Sequence, residues 1–178
     1  MSTLMTIYDK HQDAQLRAEL QQRWIAKHQL PLITLNTYLP QGMLKNPTGD
    51  QIFALAAKLA LAEINKLGGT IVKEKVFQPK CATEAIYVVA GLSASEIKKS
   101  MIKLETEHVL GAFFNFDVMN GEGKTISRKS CQLAARKCII CDRAASYCAT
   151  YNKHSQAQRD QKAHDMLSNY FNTQCEAI

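Results

Sequence analysis

The segment from Glu105 to Val118 constrains the fold most, because an amphipathic helix ends there and an aromatic strand follows after a single glycine. Side chains two positions apart on a strand lie on the same face. Asn115 and Asp117 are therefore expected to share one face of this strand, and Phe114 and Phe116 the opposite face. The sequence predicts a strand with one buried face and one polar face that carries a site.

Helical and strand patterns alternate along the rest of the chain. Apolar residues recur at helical spacing in several stretches, and three of these begin with a Ser or Thr that is followed three residues later by Glu or Gln. The predicted helices span residues 12–27, 48–67, 93–108, 136–151 and 155–171, and the predicted strands span 30–39, 70–76, 85–90, 113–119 and 124–128. Strands 70–76 and 85–90 are expected to pair. The pattern predicts a mixed α/β (α+β) fold, a single domain over residues 1–178 with a mixed sheet flanked by helices.

Length and composition exclude several classes of protein. With 178 residues, 46% of them hydrophobic, the chain fits one domain with its own core rather than a disordered segment. We expect neither an export signal nor a membrane span, because the first residues lack a basic start and Lys58 and Glu63 interrupt the most apolar stretch. The six cysteines are then expected to stay reduced in the cytoplasm.

Positive charge is concentrated in one segment. The net charge is +6, and residues 124–153 contain seven Lys and Arg against one acid, Asp142. Arginine binds phosphate through two parallel hydrogen bonds, so this segment predicts an anionic ligand or an acidic protein partner, with a merely solvated face as the alternative. The residues considered are Arg128, Lys129, Arg136 and Lys137, with Lys45 as an outlier. A nucleic-acid partner is not expected, because the aromatic residues that would stack on bases lie in the acidic strand instead.

The polar face of the strand is a candidate metal site. Enzymes that act on phosphates place acidic side chains two apart on a strand, so that both reach Mg²⁺. Asn115 and Asp117 have this spacing, and Glu105 and His108 precede them at the end of the predicted helix. An asparagine oxygen can coordinate Mg²⁺ but supplies no charge. An edge strand with solvated Asn and Asp remains the alternative.

Cys138, Cys141, Cys148 and His154 follow the spacing C-x2-C-x6-C-x5-H, which is similar to that of zinc sites. On a continuous helix over residues 136–151, Cys138 and Cys148 would lie about 15 Å apart along the axis, at 1.5 Å per residue. That is too far to share an ion with Zn–S bonds of about 2.3 Å. Only a helix break between Cys141 and Cys148 would bring them together. We therefore expect packed thiols and no zinc, with a zinc-binding module as the open alternative.

Three motifs resemble those of one known family. They are Glu105-x2-His108-x-Leu110-Gly111-x5-Asp117-Val118, then Gly123-x3-Ser127-Arg128, then Arg136-Lys137-Cys138-x2-Cys141-x3-Ala145-x2-Cys148-Ala149 followed by His154. Thinner similarity covers most of the remaining chain, through Arg17, Gln21, Pro31-Leu32-Ile33, Pro40, Gly42 and Lys45. The sequence thus resembles the apo-citrate lyase phosphoribosyl-dephospho-CoA transferase family, also called citrate lyase holo-acyl-carrier-protein synthase.

The resemblance implies a nucleotidyltransferase-like domain. The enzyme would take 2'-(5''-triphosphoribosyl)-3'-dephospho-CoA, release pyrophosphate, and attach the phosphoribosyl-dephospho-CoA group to a serine of the citrate lyase acyl-carrier subunit. Asp117 and Asn115 are expected to bind Mg²⁺, and His108 or Glu105 is expected to act as general base. The donor's phosphates would contact Gly111, Arg128, Arg136, Lys137, Lys45 and Arg17.

The chain departs from the family pattern His-Pro-Leu-Gly-Arg-x-x-Asp-x-Asp-Val at three positions. Val109, Ala112 and Asn115 stand where the pattern has Pro, Arg and the first Asp. The Arg would bind phosphate and the Asp would add charge at the metal, and each is worth about 10²-fold or more in rate. The alternative to an active transferase is a relative that binds a carrier protein or a CoA-like nucleotide with little or no turnover.

Overall fold

Five helices and five strands make up the fold in the computed structural model, which describes residues 2–40, 43, 47–77 and 83–175. Side chains are described from residue 14 to residue 173 within these ranges. In chain order the elements are α1 (Ser2–His28), β1 (Leu32–Thr37), α2 (Pro47–Lys66), β2 (Thr70–Phe77), β3 (Glu84–Ala90), α3 (Ala94–Glu107), β4 (Phe114–Met119), β5 (Thr125–Ile126), α4 (Ala145–Thr150) and α5 (Gln156–Cys175). A short 3-10 turn, Gly111–Phe113, joins α3 to β4.

The strands form one sheet in the order β2-β3-β1-β4-β5, and every described pair is antiparallel. Central β1 pairs on one side with β3 and on the other with β4, so that Leu35 lies opposite both Ala85 and Phe116. The predicted pairing of the strands near residues 70–76 and 85–90 is confirmed. The mixed α/β fold predicted from the sequence is confirmed as well, but the predicted mixed sheet is wrong, because every described strand pair is antiparallel.

The two faces of the sheet are covered by different helices. On one face, α2, α3 and α5 pack on buried side chains that include Ile33, Leu35 and Phe116. On the other face, Trp24 and neighbouring residues of α1 cover a smaller cluster around Leu32. Alternation along β1 therefore sends successive side chains to different helical layers. Among the described residues no helix combines the length and apolar character needed to cross a bilayer.

Serine side chains cap two of the helices as predicted. Ser93 precedes α3, and its hydroxyl accepts from the Glu96 amide while the Glu96 carboxylate accepts from the Ser93 amide. Ser155 and Gln158 make the equivalent reciprocal contacts before α5. Each capping box satisfies backbone N–H groups that have no partner within the helix.

The predicted continuous helix over residues 136–151 is wrong. The chain reverses direction within residues 138–144, where Lys137 forms a β-bridge with Ala144. Of residues 136–151, only those of α4 are helical. Two backbone hydrogen bonds of 2.8 Å close the reversal, from the Cys138 amide to the Arg143 carbonyl and from the Ala145 amide to the Arg136 carbonyl. These contacts replace the helical ones that local propensity favours.

Candidate functional site

The outer edge of β4 is closed by side chains. β4 pairs with β1 along its whole length but with β5 only at Val118 and Met119. Ahead of that point, Arg136 Nη2 donates to the Phe114 carbonyl at 3.0 Å, and Lys98 Nζ donates to the Phe116 carbonyl at 2.6 Å. The Phe116 amide donates to a carboxylate oxygen of Glu105 at 3.0 Å. Three charged side chains therefore satisfy backbone groups that a further strand would otherwise pair with.

Glu105 is the centre of a buried ion cluster. Its side chain is only 2% exposed, and its Oε1 atom lies 2.9 Å from Arg136 Nη2. Its Oε2 atom accepts a hydrogen bond from Arg128 Nη2. Both carboxylate oxygens are thus engaged by guanidinium groups. With this geometry, Glu105 anchors two arginines. The geometry gives no direct support to the prediction that Glu105 acts as general base.

Arg136 is the more firmly held of the two arginines. Besides Glu105 and the Phe114 carbonyl, it donates from Nη1 to the Ala112 carbonyl at 3.2 Å. Its guanidinium carbon lies 5.4 Å from the centre of the Tyr38 ring, a cation–π contact. A guanidinium fixed in this way loses little further freedom when it binds phosphate.

A cleft of about 970 Å³ adjoins this cluster. Arg128, Arg136 and Lys137 line it, together with Tyr38 and Asn115. Its size suits an organic ligand of nucleotide class. Lys137 is exposed, and its Nζ lies 3.7 Å from Oδ1 of Asp142, which is exposed as well, so the charge of Lys137 is only weakly engaged. Lys45, also predicted to contact phosphate, lies outside the described residues.

Asn115 and Asp117 lie on the same face of β4, as predicted. Asn115 is buried, and its Nδ2 donates to Asn36 Oδ1 at 2.8 Å and to Asp117 Oδ2 at 3.2 Å. Asp117 is exposed. Its carboxylate is therefore oriented by the neighbouring amide and open to solvent. A single carboxylate of this kind fits Mg²⁺, which is usually held by one or two carboxylates together with substrate phosphates and water.

Polar contacts between α1 and the sheet extend this face. Gln21 Nε2 donates to Thr34 Oγ1 at 2.7 Å, and Thr34 lies opposite Asp117 in the register. Arg17, predicted to bind phosphate, forms an ion pair with Glu84. Its charge is thus already matched by a carboxylate in the structure.

Sequence reasoning missed several residues of this region, namely Lys98, Tyr38, Asn36 and Glu84. For Lys98 a signal was available, because it lies on the apolar face of α3 seven residues before Glu105. Two charges on the buried face of one helix indicate a paired cluster. Burial lowers the pKa of Lys98, and the nearby carboxylates of Glu105 and Asp117 oppose that shift.

His108 ends α3 and packs between aromatic rings. Its ring centroid lies 5.2 Å from that of Phe114 and 6.0 Å from that of Tyr170. Nδ1 accepts from the Leu110 amide at 3.1 Å, so in the neutral ring the proton is on Nε2. In this tautomer the ring is a donor at Nε2, and the predicted role of His108 as general base stays a prediction.

Burial lowers the pKa of His108, and a pH dependence of stability follows. The unfolded chain takes up this proton near the ordinary histidine pKa of about 6.5. The stabilisation is therefore complete above that pH and is lost as the pH falls through the lower folded-state pKa. From about pH 7 to about pH 5 the pH falls through the ordinary histidine pKa. Over this interval the free energy of unfolding should fall more for the parent protein than for His108→Gln. Urea titrations would measure it.

The exposed His164 supplies the control for this pH dependence. His164→Gln, on α5, should keep the parent's pH dependence. Parallel curves for the parent and His108→Gln would contradict the effect of burial on His108.

Gly111 permits a close backbone approach. A Cβ atom at this position would lie 2.4 Å from the Leu104 carbonyl oxygen and 2.7 Å from that of Glu105. Gly111 is also buried. These contacts explain why a glycine is needed at this position. The predicted contact of Gly111 with phosphate stays a prediction.

Gly111→Ala is expected to destabilise the protein by about 1–3 kcal/mol, because backbone atoms must move to admit the methyl group. Urea unfolding would measure the change. The exposed Val109 provides a control, since Val109→Ala removes a side chain that is 60% exposed and should change stability little. Equal stabilities for Gly111→Ala and the parent would contradict the close contact.

Comparison with known protein sequences identifies the family of this chain. Residues 10–170 match the family described as "Apo-citrate lyase phosphoribosyl-dephospho-CoA transferase". A Vibrio cholerae (strain M66-2) protein named "Probable apo-citrate lyase phosphoribosyl-dephospho-CoA transferase" is 34% identical over 157 residues, covering 88% of each chain. A Citrobacter koseri protein named "Apo-citrate lyase phosphoribosyl-dephospho-CoA transferase" is 26% identical over 160 residues, covering 88% of this chain and 87% of its own. Because the family match covers residues 10–170 and the Vibrio cholerae protein is 34% identical over 88% of the chain, this chain belongs to the apo-citrate lyase phosphoribosyl-dephospho-CoA transferase family.

Proposed function

We propose that this protein transfers the phosphoribosyl-dephospho-CoA group from 2'-(5''-triphosphoribosyl)-3'-dephospho-CoA to a serine of the citrate lyase acyl-carrier subunit. Family membership supports the reaction. The geometric observation that carries it is the pair Arg128 and Arg136, held by the buried Glu105 beside a cleft of nucleotide size. Two oriented guanidinium groups match the charge and shape of a polyphosphate.

The transfer forms one bond and breaks another. The serine oxygen attacks the donor phosphorus next to the ribose, a new O–P bond forms, and the bond from that phosphorus to pyrophosphate breaks. Negative charge grows on the leaving pyrophosphate, where Arg128, Arg136 and Lys137 are proposed to stabilise it. The serine proton passes to a base, for which His108 and Glu105 remain predictions.

Asp117 and Asn115 are proposed to hold Mg²⁺ together with the donor's phosphates. When bound, the ion would neutralise phosphate charge during the transfer. Asp117 supplies the negative charge, and Asn115 orients it through the 3.2 Å contact from Nδ2. For Asn115 to coordinate the ion through its own oxygen, its amide must face the other way.

The carrier subunit is proposed to approach the basic segment. Residues 124–153 contain seven Lys and Arg against one acid, and acyl carrier proteins are generally acidic. Complementary charge of this kind increases the rate of association more than the final affinity. We also propose that the reaction takes place in the cytoplasm, where the cysteines of this chain would stay reduced.

The proposal is tested by incubating the purified protein with the carrier subunit, the triphosphoribosyl donor and Mg²⁺. Mass spectrometry of the carrier should show the added mass of the phosphoribosyl-dephospho-CoA group, and a carrier Ser→Ala variant should show none. An unmodified carrier, with a related family member active in parallel, would overturn the proposal.

The same assay distinguishes an active transferase from a relative that binds the carrier or the donor without turnover. If the replacements at Ala112 and Asn115 had abolished turnover, the parent protein would bind carrier or donor without modifying the carrier. Ala112→Arg with Asn115→Asp would then create activity. Under the proposed function the parent protein is active without these substitutions.

A further inference from the structure

Three thiols and an imidazole converge outside the arginine cluster. The ligand atoms of Cys138, Cys141, Cys148 and His154 all lie within 4.8 Å of one another. Cys141 Sγ is 3.5 Å from Cys148 Sγ and 3.3 Å from His154 Nε2. The helix break described above brings them together. The separation of about 15 Å between Cys138 and Cys148, expected on a continuous helix, is therefore absent.

The spacing of these atoms suits a tetrahedral zinc ion. With Zn–S bonds of about 2.3 Å and Zn–N bonds of about 2.0–2.1 Å, ligand atoms at tetrahedral angles lie roughly 3.5–3.8 Å apart. The closest contacts in the cluster are near this value. A disulfide needs sulfur atoms about 2.05 Å apart, and all three cysteines are free thiols.

Packed thiols explain the cluster less well. A structural cysteine is normally buried among apolar side chains. Here Cys148 is buried, whereas Cys138, Cys141 and His154 are only partly buried. Convergence of partly exposed thiols on one imidazole is typical of a metal site with one Cys-x-x-Cys turn.

The backbone around the cluster holds the ligands in place. The bridge between Lys137 and Ala144 closes the turn that carries Cys138 and Cys141. The Ile140 amide lies 3.5 Å from Cys138 Sγ and donates to it, so this sulfur is held by the backbone of the turn. Arg159 donates to the His154 carbonyl at 2.7 Å and fixes the backbone there.

The segment between β5 and α5 has little apolar core of its own, and its ties to the rest of the fold include the ion pairs of Arg128 and Arg136 with Glu105. In residues 127–154 the described regular structure is one bridge and the six-residue α4, and the buried apolar side chains are Cys131 and Cys148. Leu133, Tyr147 and Tyr151 are exposed. So small an apolar core offsets little of the entropy lost on ordering the chain, and metal ligation can supply the missing free energy.

We propose that Cys138, Cys141, Cys148 and His154 bind one structural Zn²⁺ that orders the segment carrying Arg128 and Arg136. Arg136 is tied to the site directly, because its carbonyl accepts the Ala145 amide across the same turn. The zinc has no open coordination position and takes no part in the transfer. Cys138, Cys148 and His154 also line the cleft, but the proposal does not depend on which substrate binds there.

Metal analysis of the full chain, purified with reductant and without chelator, tests the site. About one zinc per chain is expected. Cys141→Ser and His154→Gln should each lose most of it, while Cys131→Ser, at a buried cysteine outside the cluster, should retain it. A parent protein without zinc, a parent with iron instead, or equal zinc in Cys141→Ser and the parent would overturn the proposal.

Two further measurements apply even where a variant fails to fold. Protein refolded with Co²⁺ should show the intense visible bands and the thiolate charge-transfer band of tetrahedral cobalt, and weak octahedral bands would contradict the proposal. Removing the metal with a chelator should lower Tm by about 10 °C and increase amide exchange in residues 127–154. Unchanged Tm and exchange on metal removal would contradict a structural role. Neither readout requires transferase activity.

Discussion

Asp117→Asn is expected to lower the rate of carrier modification by about 10²-fold or more, because it removes the carboxylate proposed to hold Mg²⁺ against the triphosphate. The side chain is exposed and keeps its shape, so the fold should be unaffected. Single-turnover transfer, followed by the mass of the carrier, would measure the rate, and thermal unfolding would check the fold.

Asp165→Asn provides the matched control for this substitution. Asp165 is exposed on α5 and accepts a hydrogen bond from Gln161. It should leave the transfer rate unchanged. A rate for Asp117→Asn within a few-fold of the parent would contradict the proposed metal ligand.

Glu105→Ala is expected to lower the free energy of unfolding by about 3–5 kcal/mol, because it leaves two arginines and the Phe116 amide without their shared acceptor. Glu105→Gln should cost less, since the amide oxygen can still accept a hydrogen bond. Urea denaturation would give both values.

Glu107 is a suitable control because it lies two residues further along α3. Its carboxylate is exposed and 3.9 Å from Lys103, so Glu107→Ala should cost under about 0.5 kcal/mol. Similar losses for Glu105→Ala and Glu107→Ala would mean that the buried cluster contributes no more than a surface ion pair.

The helix, turn and strand around residues 93–119 were predictable because local signals agree there. The capping box at Ser93 fixes the start of α3, and Gly111 marks the approach of the chain to the helix end. Alternation in β4 then places Asn115 and Asp117 on one face. The arrangement of Glu105 with Arg128 and Arg136 could not be read in this way, because those contacts span 23 and 31 residues of chain and depend on tertiary folding.

Residues 136–151 show the opposite case. Cys138, Cys141, Ala145 and Cys148 have helical spacing, and the intervening residues do not forbid a helix. The observed turn is specified by the bridge between Lys137 and Ala144 and by the convergence of the thiols on His154. Single-sequence periodicity does not report contacts between side chains that meet only after the chain reverses.

The charged side chains along β4 have a consequence for solubility. An open strand edge is a template for pairing with another molecule, and proteins protect such edges against aggregation. At the opposite end of the sheet, β2 presents exposed Lys73, Glu74 and Lys75, a common protection. On β4, Lys98, Glu105 and Arg136 occupy the backbone groups themselves. The cluster that orients the arginines therefore also protects this part of the sheet edge against pairing with another molecule.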